Sequence, residues 1–428
     1  MNPGKRRRSF LLVTQYFPPE IGAAQVRLAA LVDALRAEGH RVDVLTALPN
    51  YPLGRIFDGW RRVPIQTEEG AGGRTTRLWV WASMGKGWQR MLNYLSFGAM
   101  SVLGLARARR TDWVVVEYPT LFGALPAVVW NRLRRRRVVV LVADLWVDLI
   151  AEFGALPEGR VLDVLRRLER WMLRTVDVVT AVSEGAVDVL VEKGADRDRM
   201  AWLPNGVDTT LFAPGDADPS VREELGASAG EHLVLYAGTH GYVHGLEVLL
   251  SAAELLRDEP VRVVLVGDGS EKPELVRQAR ERGLVNVSFH DPVPPERVAE
   301  MLRCATVAVA TVRGGDRYHT IRSAKMMTIM SSGVPLVYSA ADEGSRLVQS
   351  IGAGLVTPPG DPVALAGAIR DLVADPSRAE QLGNAGRRWV EEHVSWEHLV
   401  HDWVARLEEL EVLSGARVAA DRSADDAA

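Results

Sequence analysis

Two histidines, His240 and His244, stand in YAGTHGYVHGLEVLL (236–250), between an apolar run and a helical pattern. Gly238 and Gly241 open that turn, so backbone can approach a bound group closely while the imidazoles offer donors beside a helix start. A phosphate suits such an arrangement. The next turn, LVGDGSEKPEL (265–275), repeats the layout one strand later with Gly267 and Asp268, where a tight turn capped by Asp268 or Ser270 is the plainer alternative. The cationic stretch RGGDRYHTIRSAKMM (313–327) carries Arg313, Arg317, His319, Arg322 and Lys325. Near a predicted helix start it would grip a diphosphate, and a solvated surface would account for some of its charges.

A second set lies in the first half of the chain. Gly22 falls in QYFPPEIGAAQVR, Asn50 and Tyr51 in ALPNYPLGR (47–55), and Asp144 and Trp146 in ADLWVDLI (143–150). Each follows a β-branched run. An amide and an aromatic hydroxyl at a strand's carboxyl end suit a ligand rich in hydroxyls. A carboxylate there would orient or deprotonate an acceptor group, or else cap a helix.

These residues need a scaffold, and the pattern supplies one. Short β-branched runs (9–14, 42–46, 113–117, 138–142, 177–182) alternate with helical patterns such as 24–37 and 161–175. That alternation predicts a parallel sheet wound on both faces. It restarts after LPNGVD with runs at 233–238, 261–267, 285–289 and 305–310. Two α/β domains of similar size are expected, with ligands bound in a cleft at the carboxyl ends of both sheets.

The 428 residues are 47% hydrophobic and 25% charged, a globular balance that excludes disordered, collagen-like and coiled-coil classes. Only 417–428 (RVAADRSADDAA) has almost nothing to bury and is expected to be a disordered tail. The single cysteine, Cys304, can form no internal disulfide, and no Cys/His cluster has zinc spacing, which fits a reducing cytoplasm. The opening KRRRSFLLVTQYF reads as a buried first strand rather than a signal peptide, because its apolar run stops at Thr14 and Gln15. No segment is apolar for long enough to span a membrane. The net charge of −4 conceals an asymmetry: residues 1–205 hold 30 Lys and Arg against 21 Asp and Glu, or +9, leaving 21 against 34, or −13. A positive first half suggests an anionic acceptor or membrane surface, while the whole is too acidic for a nucleic-acid binder.

Taken together, these pieces resemble the family 4 glycosyltransferases of the GT-B fold, over nearly the whole chain. LPNGVDTTLF (203–212) and GAGLVTPPGDPVALAGAI (352–369) are the strongest segments. QYFPPEIGAA, LPNYPLGR, DLWVD, GTHGYVHGLE and SAKMMTIMSSGVPLV resemble the subgroup that acts in bacterial polysaccharide and lipid-linked sugar assembly. The resemblance implies two Rossmann-like domains, an acceptor domain at 1–205 and a donor domain at 206–392, with a helix at 393–416 crossing back. It also implies transfer of a sugar from a UDP- or GDP-linked donor with retention, without a metal and without a further cofactor. By position, Gly22, Gly238, Thr239, His240, Gly241, His244, Gly267, Asp268, Arg322, Lys325 and Thr328 fall on the donor side. Asn50, Tyr51, Asp144, Trp146 and His319 fall on the acceptor side, and Asp144, His244 and Lys325 are the residues on which catalysis would rest.

Several positions depart from the family pattern. Thr239 and His244 stand where most members carry Arg and Lys. Thr328 replaces the glutamate that usually holds the donor ribose, Thr320 replaces the first glutamate of the same motif, and Val147 stands in place of a proline. A hydroxyl lacks the charge-assisted strength of a carboxylate. The acceptor is expected to be a glycan, a lipid-linked sugar or a small natural product, with oxygen, sulfur or nitrogen as nucleophile. Arg134 to Arg137, Lys5 to Arg8 and the apolar helix 88–106, with Trp88, Met91, Leu95 and Phe97, would allow contact with an anionic bilayer; a buried helix with solvated arginines is the alternative. A nucleotide-sugar 2-epimerase and a non-catalytic nucleotide-sugar binder are the competing readings of function.

Overall fold

Runs such as WVVVE and RVVVLV leave no polar face, which only a sheet covered on both sides accommodates. In the computed structural model the described residues are 7–20, 22–83, 88–118, 121–143, 145, 147–148, 159–182, 184–315, 318 and 323–425. The chain divides into two compact units, Met1–Asn205 with Trp396–Ala428, and Gly206–Ser395.

The first unit holds β1 (Ser9–Val13), β2 (Arg41–Ala47), β3 (Ile65–Gly70), β4 (Gly73–Leu78), β5 (Trp113–Glu117), β6 (Arg137–Val142), β7 (Val178–Ala181) and β8 (Met200–Trp202). Their order is β3-β4-β2-β1-β5-β6-β7-β8, parallel except for the antiparallel edge strand β3. Its helices are α1 (Ala23–Ala37), α2 (Trp88–Arg107), α3 (Leu121–Leu133), α4 (Arg160–Thr175) and α5 (Glu184–Glu192). The steps β4 to β5, β5 to β6 and β6 to β7 all run the same way along the sheet. Right-handed crossovers therefore place α2, α3 and α4 side by side on one face, and α1 on the other.

The second unit is a six-stranded parallel sheet of β9 (His232–Ala237), β10 (Val261–Val266), β11 (Val287–His290), β12 (Val307–Thr311), β13 (Leu336–Ser339) and β14 (Gly354–Thr357). The order is β11-β10-β9-β12-β13-β14. Its helices are α6 (Pro219–Glu224), α7 (Glu247–Leu255), α8 (Lys272–Glu281), α9 (Pro295–Cys304), α10 (Ala324–Ser331), α11 (Glu343–Ile351), α12 (Pro362–Ala374) and α13 (Pro376–His393). Residues 393–395 stay with this unit, where the Val207 N–H donates to the Val394 carbonyl at 3.1 Å.

The last helix, α14 (Trp396–Asp425), belongs to the first unit and packs beside α1. There Trp403 stacks on Phe10, centroids 6.0 Å apart, and donates from Nε1 to Thr180 Oγ1 at 3.0 Å. Helical backbone continues through most of 417–428, where composition predicts a tail. Alanine, arginine and aspartate without proline keep the helix inexpensive to extend. No described helix is long and apolar enough to cross a membrane.

Candidate functional site

Connections leave β9 and β12 in opposite directions, so the carboxyl ends of these neighbouring strands part and leave a crevice. The chain leaves β9 through Gly238, φ +150°, where a Cβ would lie 2.0 Å from Lys325 Cε. Only glycine lets the lysine lie across this turn. At the end of β10, Gly267 has φ +139°, and a Cβ there would meet the Gly238 carbonyl oxygen at 2.0 Å. After Gly241 a short 3-10 turn, Tyr242–His244, faces the end of β12. Thr311 Oγ1 donates to the His244 carbonyl at 2.6 Å, and the Arg313 N–H to the Val243 carbonyl at 2.8 Å. The Arg313 guanidinium is occupied by Glu247 at 2.6 Å and lies over the Tyr242 ring, so it acts as a strut for the turn.

The sequence brings Lys325 here by starting α10 immediately before it. Its Nζ lies 3.1 Å from His244 Nε2 and 5.5 Å from the centroid of Tyr236. Among the described residues no carboxylate pairs with it. Burial lowers Lys325 to about 8, and burial with the nearby lysine charge lowers His244 to about 4. Near neutral pH the pair is thus a cation beside a neutral imidazole. A cation stripped of water without a counter-ion is costly, and an incoming anion removes that cost.

The sign of the pH dependence follows. The folded protein penalises charged Lys325, so the free protein gains stability from this group as pH rises from about 8 towards 10.5, while anion affinity falls over the same interval. Calorimetry with and without inorganic pyrophosphate should give opposite slopes there, and Lys325→Met should abolish both. Parallel slopes would contradict the assignment.

Not every expected side chain joins this set. The ring of His240 is fully buried against Tyr236 and Phe289, with centroids 5.8 and 6.3 Å away, and neither ring nitrogen has a partner among the described residues. Burial lowers it to about 4. It forms the neutral floor of the turn through its backbone, donating to the Asp268 carbonyl at 2.8 Å and accepting from the Glu271 N–H at 2.9 Å. The Asp268 carboxylate accepts from the Gly269 N–H at 2.8 Å, as a turn cap. Thr239 is exposed, and its carbonyl accepts from the Tyr236 hydroxyl at 2.7 Å. Thr328 Oγ1 donates to the Lys325 carbonyl at 2.8 Å. Asp144, Trp146, His319 and Arg322 lie outside the described residues.

In the first unit Gly22 is the N-cap of α1, in extended backbone, where a Cβ would meet Gln25 Oε1 at 2.5 Å. Asn50 is buried and internally satisfied: Nδ2 donates to the Leu48 carbonyl at 2.9 Å, and Oδ1 accepts from Asn93 at 3.4 Å. These bonds make it a clamp for the loop. Tyr51 keeps a half-buried ring edge-on to Tyr16 at 5.6 Å. The sequence reading missed Glu20, whose buried carboxylate accepts from the N–H groups of Asn50 at 2.7 Å and Tyr51 at 2.8 Å. A charged residue directly after two prolines was its only signal. Burial raises its pKa against these donors. Glu20→Ala would orphan both N–H groups and cost about 2–3 kcal/mol, read as lost hydrogen-exchange protection at Asn50 and Tyr51. Also missed was Lys193, whose Nζ joins Asp148 at 2.8 Å and Glu169 at 2.7 Å, with the Tyr118 hydroxyl on the same Glu169 at 2.5 Å. This network anchors the segment around buried Val147.

Among the described residues no cluster of three or more His, Cys, Asp or Glu is arranged to hold a metal ion. Residues 22–206 match the family described as "Glycosyl transferase 4-like domain", and residues 231–375 match "Glycosyl transferases group 1". The chain is similar to the putative colanic acid biosynthesis glycosyl transferase WcaI of Escherichia coli K12, 27% identical across 91% of this chain and 97% of that one. Among solved structures it resembles sucrose-phosphate synthase from Thermosynechococcus elongatus, with a TM-score of 0.72 and 22% identity over 95% of this chain and all of that one. It also resembles HepE of Anabaena in complex with UDP and glucose, with a TM-score of 0.69 and 17% identity over 94% of this chain and all of that one. With both halves matched and two parallel-sheet units folded as described, the chain belongs to the family 4 glycosyltransferases and has the GT-B fold.

Proposed function

We propose that this glycosyltransferase takes its sugar from a nucleoside diphosphate sugar, UDP- or GDP-linked, held by the second unit, and transfers it with retention to a hydroxyl of a glycan or lipid-linked acceptor. The observation that carries this reading is the cation Lys325, unpaired among the described residues and lying over Gly238 beside neutral His244. As the bond between the anomeric carbon and the diphosphate oxygen breaks, negative charge develops on the leaving group. Lys325 stabilises that charge, and neutral His244 accepts from its ammonium and holds it in place. The acceptor oxygen forms the new bond on the same face, and its proton passes to the departing phosphate, so no separate base or metal is required. The nucleotide-bound relative HepE supports this reading of the donor.

Thermal unfolding against a panel of nucleotides and nucleotide sugars tests it, because a ligand at 100 times its Kd adds about 2.7 kcal/mol. One diphosphonucleotide should shift the transition, and Lys325→Ala should remove the shift. The absence of any shift would overturn the reading.

Thr328 favours a second possibility, a binder without turnover, because its hydroxyl replaces the carboxylate that the family uses for ribose. Thr328→Glu should therefore tighten nucleotide binding by roughly tenfold, through a charge-assisted hydrogen bond. Isothermal titration with the best nucleotide reads this directly, and unchanged affinity would place the ribose elsewhere.

A further inference from the structure

The face of the first unit that carries α2, α3 and α4 is unusual in what it shows to solvent. On α2, Trp88, Leu92, Leu95, Ala99 and Leu103 recur at four- and three-residue steps, and all five are exposed, Trp88 to 67%. They form one ridge along the outer side of the helix, opposite the buried Phe97 and Leu105. Beside it, α3 exposes Val129 and Leu133, the latter to 76%, and α4 exposes Val161, Val164 and Trp171. Nine of the large apolar side chains exposed among the described residues thus lie on three adjacent helices. Solitary exposed apolar residues need no explanation, but a concentration of this kind does.

The charges exposed on these three helices are positive but for one. Helices α2 and α3 contain no acidic residue at all. On α4 the sequence places Arg160, Val164, Arg167, Trp171 and Arg174 on one exposed stripe, while Glu169 is buried under Lys193 and Tyr118. Asp163 is the one exposed carboxylate of the three helices, and Arg166 lies 3.9 Å from it. At the end of α3 the Arg134 guanidinium lies over the Trp130 ring at 4.7 Å. Arg132, two residues earlier, reaches Asp177 at 3.3 Å, just past α4, so the arginine-bearing ends of the two helices are neighbours.

We propose that this face docks on the surface of an anionic lipid bilayer, with the apolar ridge entering the headgroup boundary and the arginines meeting phosphate headgroups. Interleaved aromatic, aliphatic and arginine side chains match that boundary, where apolar burial and electrostatic attraction act together. A second copy meeting this one through the same face would set arginine against arginine, which disfavours self-association. The surface would hold the enzyme beside a lipid-linked acceptor. It goes beyond the proposed transfer reaction, since vesicle binding requires no nucleotide and can fail or succeed independently of donor binding.

The test is sedimentation of the full chain with phosphatidylcholine vesicles containing about one-third phosphatidylglycerol, against vesicles of phosphatidylcholine alone. The protein should pellet with the anionic vesicles at about 0.1 M salt and be released as salt rises. Trp88→Ser with Leu95→Ser, and separately Arg167→Glu with Arg174→Glu, should each weaken binding at least tenfold with the circular dichroism unchanged. The charge-reversal pair keeps the proposal testable should the ridge variant misfold. No pelleting with anionic vesicles, or binding indifferent to the arginine reversals, overturns it. So does a homodimer, seen by sedimentation equilibrium, that the ridge variant breaks while vesicle binding persists.

Discussion

Lys325→Ala is expected to lower kcat/KM for sugar transfer by about 10²- to 10³-fold, the scale on which a preorganised group at a developing charge acts. The free protein should lose no stability, and should gain slightly, because the substitution removes a cation that burial disfavours and that no described carboxylate neutralises. Loss of rate with stability held or raised is the signature of a group kept for its ligand rather than for the fold. Initial rates and the unfolding midpoint of the same two preparations check both parts. Equal rates would remove Lys325 from the chemistry, and a large fall in midpoint would make it structural.

Gly267→Ala is expected to have the largest effect on stability, about 3–5 kcal/mol. A Cβ at φ +139° would press within 2.0 Å of the Gly238 carbonyl oxygen, and backbone cannot swing aside as a side chain can. The useful comparison is Gly283→Ala, where φ is +62° and nothing lies within 4 Å of the added carbon. That change bears only the cost of the left-handed backbone, about 1 kcal/mol. Thermal unfolding of both variants should therefore separate them by several degrees, with Gly267→Ala the lower. Nucleotide binding should also fail in Gly267→Ala, since the displaced turn carries Gly238 and with it the path of Lys325.

The central strands were readable because a fully buried parallel strand must be apolar throughout, as Trp113–Glu117 and Val261–Val266 nearly are. The edge pair IQTEEG and GRTTRL was not, since an edge strand carries charge and needs no core-facing pattern to pair. In the site, the glycines and Lys325 could be named from sequence, but their dependence on one another could not. That dependence rests on a Cβ-to-Cε approach between residues far apart in the chain. The two histidines four residues apart read alike in sequence, yet one ring turns under the loop and the other towards the lysine. The apolar content of α2 likewise fitted a buried helix, and only the structure separates the inner residues Phe97 and Leu105 from the outer ridge.

The position of α14 bears on how the chain is made. Trp403 covers Phe10 and ties Thr180, and Arg8 is held by Glu408 at 2.8 Å and Glu411 at 3.0 Å, all inside the first unit. Strand β1 is thus completed by a helix that is synthesised only after the whole second unit. During synthesis the second unit, contiguous from Gly206 to Ser395, has every residue it needs while the first still lacks its cover. A released chain ending at residue 395 should carry a protease-resistant second half behind a still sensitive first half, the reverse of vectorial amino-to-carboxyl maturation.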